Sequence, residues 1–173
     1  AFDRDALPRG NNATGSFPYQ VKDESGALSN TFTANISISG TNDAPAISAA
    51  GSISGNEDGL EAGIAVDAAS SNLLSNATDI DDVDGSLLIA TVNGAAGNVA
   101  NATTVTLSYT DADGNPQTQD VSLTVNADGS YSIAAFDLDA LPLGNNATGS
   151  FTYQVKDDSG ALSNTVTANI SIS

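Results

Sequence analysis

Apolar and polar residues alternate over "TTVTLSYTD" (103–111) and again over "TQDVSLTVN" (118–126), with "DADGNPQ" near the join. A period of two marks a half-buried strand, and two such runs flanking a Gly-containing acidic turn predict a β-hairpin. "ADGSYSIAAF" (127–136) turns at Asp128-Gly129 into another strand. "SFTYQVKD" (150–157) and "NTVTANISIS" (164–173) form a closing pair joined by "DSGALS". Upstream, "AISAAGSIS" (46–54), "GIAVDAA" (63–69) and "SLLIATV" (86–92) are weaker strand candidates. No amphipathic helix of ordinary length is legible, and "DLDALPLG" (137–144) has room for one short turn before its proline. Seven or more short strands in about 130 residues, separated by Gly, Asn and Asp turns, predict an all-β fold, a Greek-key β-sandwich of immunoglobulin type. The expected core is Val105, Leu107, Tyr109, Val121, Leu123, Val125, Tyr131, Ile133, Phe151, Tyr153, Val155, Val166, Ile170 and Ile172.

The closing pair occurs twice. Residues 1–39 and 135–173 align without gaps at an offset of 134 and differ at five places: Arg4/Leu138, Arg9/Leu143, Pro18/Thr152, Glu24/Asp158 and Phe32/Val166. That period is too long for a solenoid unit and suits a whole domain in tandem array. The chain is therefore read as the tail of one repeat (1–39), a linker (40–45) and one complete sandwich repeat (46–173). A lone hairpin is marginal in water. Three arrangements are open to 1–39: it packs on the following domain, borrows strands from a neighbouring molecule, or belongs to a split domain completed by strands between 44 and about 100. Pro18 replaces Thr152 within a strand, which suits an edge position.

Charge then narrows the function classes. The chain of 173 residues has 4 basic residues, 21 acidic ones, no His, no Cys and a formal charge of −17. A nucleic-acid partner is not expected, because phosphate binding needs Lys and Arg to release counterions. Insertion into a membrane is not expected either, since no apolar run is long enough. Without Cys there is no disulfide framework or thiol nucleophile, and without His the usual general base and transition-metal ligand are missing. Carboxylates are nearly the only strong ligands left, and they favour hard cations, calcium first. Residues 40–173 carry seventeen acids against the single base Lys156.

"NATDIDDVDGS" (76–86) packs Asp79, Asp81, Asp82 and Asp84 into six residues. Alternate positions of an extended backbone can aim carboxylates at one centre, and calcium takes six to eight oxygens at about 2.3–2.6 Å. The run is no EF-hand: Ile80 would stand at the first ligand position and no glutamate closes the loop. The alternative is a solvated acidic turn, but four crowded carboxylates would repel in the folded state, which favours cation binding. In an immunoglobulin-type sandwich the loop after the second strand and the loop between the last two lie at the N-terminal end. Asp79–Asp84 should then approach Asp157, Asp158 and the linker residues Asn42 and Asp43. The opposite end should gather Glu57, Asp58, Asp137 and Asp139, while Asp3 and Asp5 of the leading copy approach the linker from the other side. Asp111, Asp113 and Asp128 belong to hairpin turns, and turn chemistry accounts for them. Six Asn-x-Ser/Thr triplets match the glycosylation pattern, as chance alone gives in a chain so rich in these residues.

"FTYQVKDDSGALSNTVTANISIS", continued by "GTNDAP" as in the leading copy, resembles the ending of VCBS-type and cadherin-like repeats of large bacterial surface adhesins, many with RTX-type secretion signals. "NEDG" followed by "ATDIDDVDG" resembles the early strands and acidic loop of the same repeats. The resemblance covers essentially all of 40–173. It implies a cadherin-like spacer that calcium (Ca2+) rigidifies at its junctions, holding a ligand-binding tip away from the cell in surface attachment or biofilm formation. By the same resemblance Asn42 and Asp43 take the linker-ligand role, Asp79 and Asp81 that of the paired acids, and Glu57 that of the early-strand glutamate. The implied partners are neighbouring repeats of one chain, the implied location is the bacterial cell surface, and the isolated module is expected to be monomeric. A second reading is a carbohydrate- or protein-binding module, against which most of the nine aromatic residues sit in core-type strand positions. An enzyme is not expected: Asp137 and Asp139 could imitate a glycosidase pair, but no nucleophile or tuned base accompanies them.

Overall fold

The computed structural model describes residues 7–57, 63–66, 72–81 and 85–173, with 64–66 as backbone alone. It divides into two compact units, Ala1–Asp43 and Ala44–Ser173. The leading unit is one antiparallel hairpin, β1 (Asn12–Tyr19) with β2 (Phe32–Ser39), registered from Asn12 opposite Ser39 to Tyr19 opposite Phe32. Its connection closes on Asp23, whose Oδ1 accepts the Ala27 amide at 2.8 Å, with Gly26 at φ 90°. That is an Asx-type turn in which the aspartate stands in for a backbone acceptor.

The second unit is an immunoglobulin-like β-sandwich. Its strands are β3 (Ala46–Ile47), β4 (Ser52–Gly55), β5 (Ile64–Val66), β6 (Ala77–Thr78), β7 (Leu88–Val92), β8 (Ala102–Thr110), β9 (Pro116–Val125), β10 (Tyr131–Ile133), β11 (Ala147–Lys156) and β12 (Val166–Ile172). A 3-10 turn at Ala96–Asn98 follows β7. One half of the sandwich runs β4–β12–β11–β7, with β4 parallel to β12 and the other pairs antiparallel. The other half runs β8–β9–β10–β5. A single pairing, Thr148 opposite Ser108, joins β11 to β8 where the sheet folds over. The two layers meet closely there: a Cβ on Gly149 would lie 2.8 Å from both Leu107 Cδ2 and the Thr106 carbonyl.

The alternating runs became β8 and β9, and their turn is set by Asp111, which accepts the Asp113 and Asn115 amides. Pro116 opens β9, where a strand tolerates a residue without an N–H. Asp128-Gly129 makes the next turn, with Gly129 at φ 81°. Of the expected core, twelve residues are buried, and Tyr109 and Val166 pack against it from partly exposed positions. The segment 46–54 is interrupted into β3 and β4. Leu138 and Leu141 of "DLDALPLG" are buried in the core through a tight turn, the Leu141 amide donating to the Leu138 carbonyl at 2.8 Å. Tyr153 packs beside Phe151, the rings tilted by 36° with centroids 6.2 Å apart. Its hydroxyl accepts the Gly51 amide and donates to the Leu73 carbonyl, each at 3.1 Å. No helix among the described residues is long and apolar enough to cross a membrane.

Candidate cation site at the Asp79 turn

The site is built where the chain enters the sandwich. β3 lies antiparallel to β6, Ala46 opposite Thr78 and Ile47 opposite Ala77. Two residues make no stable ladder alone, and side chains complete it. The Ile47 amide donates to Asn164 Oδ1 at 2.9 Å and Asn164 Nδ2 returns to the Ile47 carbonyl at 3.2 Å. Ser48 N–H donates to the Asn76 carbonyl at 3.1 Å. Asn164 belongs to the β11–β12 connection, so this clamp ties β3 and β6 to the loop that begins at Asp157. Asp79 follows β6 directly and is held beside that loop.

Asp157 is only 4% exposed. Its Oδ1 accepts the Ala161 amide at 2.8 Å, which closes the loop over its carboxylate. Asp79 Oδ1 accepts the Asp81 amide at 3.1 Å, a local turn bond. Asp79 Oδ2 is buried and has no hydrogen-bond donor. Burial is the first reason the Asp79 carboxyl is pushed above the usual carboxylate range. The second is the Asp81 carboxyl, close enough to share a proton with it, and the negative charges of Asp81 and Asp157 add to both; the Asp81 amide pulls the other way. Among the described residues, the full charges acting on Asp79, those of Asp81 and Asp157, are both negative. A buried carboxylate oxygen without a donor is costly, and a cation is the partner such a group fits.

Of the residues expected at this end, the structure brings Asp79, Asp81 and Asp157 within electrostatic reach of one another. Asp158 is exposed and accepts the Ser159 hydroxyl at 3.2 Å. Asn42 and Asp43 close the leading unit, where Asn42 Nδ2 donates to the Asp43 carbonyl at 2.7 Å. Asp3, Asp5, Asp82 and Asp84, as well as Asp58, lie outside the described residues. At the far end, Glu57 N–H donates to the Ser173 carbonyl at 2.9 Å, and Glu57 Oε2 is a second buried oxygen without a partner. Asp137 and Asp139 are exposed, bound to each other through the Asp139 amide on Asp137 Oδ1 at 2.9 Å, which is turn geometry. No group of three or more acids among the described residues is gathered tightly enough to hold a metal ion in this geometry. Asp79, Asp81 and Asp157 are thus an open set of donors rather than a closed cage.

The turn acids behave differently. The Asp111 carboxyl is held below the usual range by the Asn115 amide and the Gln117 side chain, and Asp128 by the hydroxyl and amide of Ser130. Their oxygens are supplied with donors, so neither asks for a cation. Sequence reasoning missed Asn164, the residue that positions the site, because an asparagine in a turn-rich loop carries no signal until its partner strand is known.

Among known proteins, no family model and no curated protein sequence matches the chain.

Proposed function

We propose that the chain is a structural extender module of a long extracellular bacterial adhesin, a VCBS-type, cadherin-like repeat whose junctions calcium stiffens. The observation that carries this reading is Asp79 Oδ2, buried without a donor beside two further carboxylates. Asp79, Asp81 and Asp157 would hold the ion, and the cadherin-like reading adds Asp82 and Asp84 of the same run and the linker residues Asn42 and Asp43, which directly precede Ala44-Pro45 in the chain. Calcium supplies two positive charges to carboxylates that otherwise repel. With the ion the entry into the sandwich stiffens; without it the like charges loosen the linker. Glu57, with its own unpartnered oxygen, would take the corresponding role at the other end of the module, with Asp137 and Asp139 as the further candidates there. In this reading the module does no catalysis and meets only neighbouring repeats, at the cell surface.

Calorimetric melting in calcium and then in chelator tests it. At a hundredfold excess over the dissociation constant, binding adds about 2.7 kcal/mol, or about 10 °C in a unit of this size. An unchanged melting temperature overturns the reading. The pH dependence has a defined sign. Because the folded-state pKa of Asp79 is raised, its contribution to stability is present below the ordinary carboxylate pKa and is lost as pH rises through the raised value. In chelator, Asp79→Asn should therefore raise the melting temperature at neutral pH, and in calcium it should lower it.

A further inference from the structure

β1–β2 presents Phe17, Tyr19, Val21, Ile36 and Ile38 on one face, and all five are exposed: Phe17 by 51% and Val21 by 59%. The corresponding residues of β11–β12, at the same register, are core: Phe151 is 2% exposed and Val155 0%. Leu28 and Leu162 serve as an internal control. Both sit in the connecting loop, and both are exposed, by 62% and 48%. Apart from Phe32, which is matched by the partly buried Val166, the uncovered face falls on positions that the second copy buries.

The second copy also shows what covers such a face. β4 and β7 flank β12 and β11 in the sheet, the Tyr153 hydroxyl bonds to Gly51 and Leu73, and the buried face shares one core with Leu107, Leu123, Val125 and Ile133 of the β8–β9–β10 layer. The flanking strands β4 and β7, the layer β8–β9–β10, Gly51 and Leu73 all lie within residues 44–134. We propose that the apolar face of β1–β2 is a docking surface for a strand set of the kind residues 44–134 form, placed ahead of the hairpin in the same polypeptide as 44–134 stands ahead of β11. This rests on the tandem-repeat reading but not on calcium.

The differences between the copies describe the covering strands further. The Thr152 amide donates to Asn93 Oδ1 at 3.0 Å; Pro18 has no N–H, so the covering set needs no asparagine there. Phe32 replaces the partly buried Val166, which calls for a wider cleft. Arg4 is the counterpart in sequence of the buried Leu138, so a cover for this hairpin has to admit a charge where 44–134 admits an apolar side chain.

The test extends the full chain at its start with a second copy of residues 44–134, once with the native hairpin and once with Arg4→Leu, because this particular cover is matched to a leucine at that position. Both are compared with the 173-residue chain in calcium and in chelator. Dye binding to exposed apolar surface should be strong for the 173-residue chain and fall several-fold on extension. Amide exchange in β1–β2 should slow on the order of 1,000-fold, the scale of an ordinarily stable sandwich. Dye binding and fast exchange that persist in the Arg4→Leu chain overturn the proposal, and leave the row Phe17–Tyr19–Phe32 to be read as a platform for another ligand. A 173-residue chain that already excludes dye by pairing with itself overturns it as well. Protection gained equally in calcium and in chelator supports the docking surface even where the calcium reading fails.

Discussion

Phe17 and Phe151 occupy the same place in two hairpins of nearly the same sequence, and only one of them is in a core. β1–β2 and β11–β12 share register from Ala13 opposite Ile38 and Ala147 opposite Ile172 onward, and share the bridges Lys22–Leu28 and Lys156–Leu162. The loop bond repeats too: Ala27 to Asp23 and Ala161 to Asp157, both at 2.8 Å. Strand pairing and turn closure are thus local properties of these residues. Burial is not, because the layer that covers β11–β12 comes from distant segments. The consequence reaches the chemistry. The exposed Asp23 is held below the usual range by the Ala27 amide and the Ser25 hydroxyl, whereas its counterpart Asp157 is buried and pushes on Asp79. One acid is a turn-former; the other is a turn-former turned into a candidate ligand by its surroundings.

Paired substitutions can break or sharpen that contrast. The largest difference is expected from the phenylalanines. Phe151→Ala should cost about 3–5 kcal/mol in urea unfolding, as for a large core side chain. Phe17→Ala should change stability by no more than about 0.5 kcal/mol, and equal losses would mean that the leading face is covered after all. The aspartates come next. Asp157→Asn should remove most of the calcium increment of about 2.7 kcal/mol expected at a hundredfold excess, with Asp23→Asn leaving it intact; a calorimetric titration that shows the same loss for both would move the ion away from Asp157. The glycines give the smallest effect, and opposite signs. A Cβ at Gly149 meets Leu107 and Thr106, whereas at Gly15 it meets nothing within 4 Å. Gly149→Ala should therefore destabilise by about 1–3 kcal/mol through overpacking, and Gly15→Ala should be neutral or stabilise by up to about 1 kcal/mol.

Long alternating strands were legible because their period of two survives any tertiary context: β8, β9, β11 and β12 lie close to where the pattern put them. β6 was not legible, since two residues, Ala77 and Thr78, carry no period. Leu138 and Leu141 were hidden in an acidic segment whose turn tucks its leucines inward. At the candidate site, the meeting of Asp79 with Asp157 could be anticipated from loop topology. The missing donor on Asp79 Oδ2 could not, because it depends on how tightly the Asn164 clamp closes the β3–β6 ladder. Asp137 and Asp139 stand in an exposed turn, as the short acidic segment before its proline allowed.

From residue order alone come the two hairpins, their registers and turns, the all-β character and the excess of carboxylates, all of which follow from interactions between near neighbours. Which copy of the hairpin is buried, and which aspartate loses its solvent, were settled by segments as far as 117 residues away. Burial and desolvation are properties of what packs on a surface, and a strand does not carry its own cover.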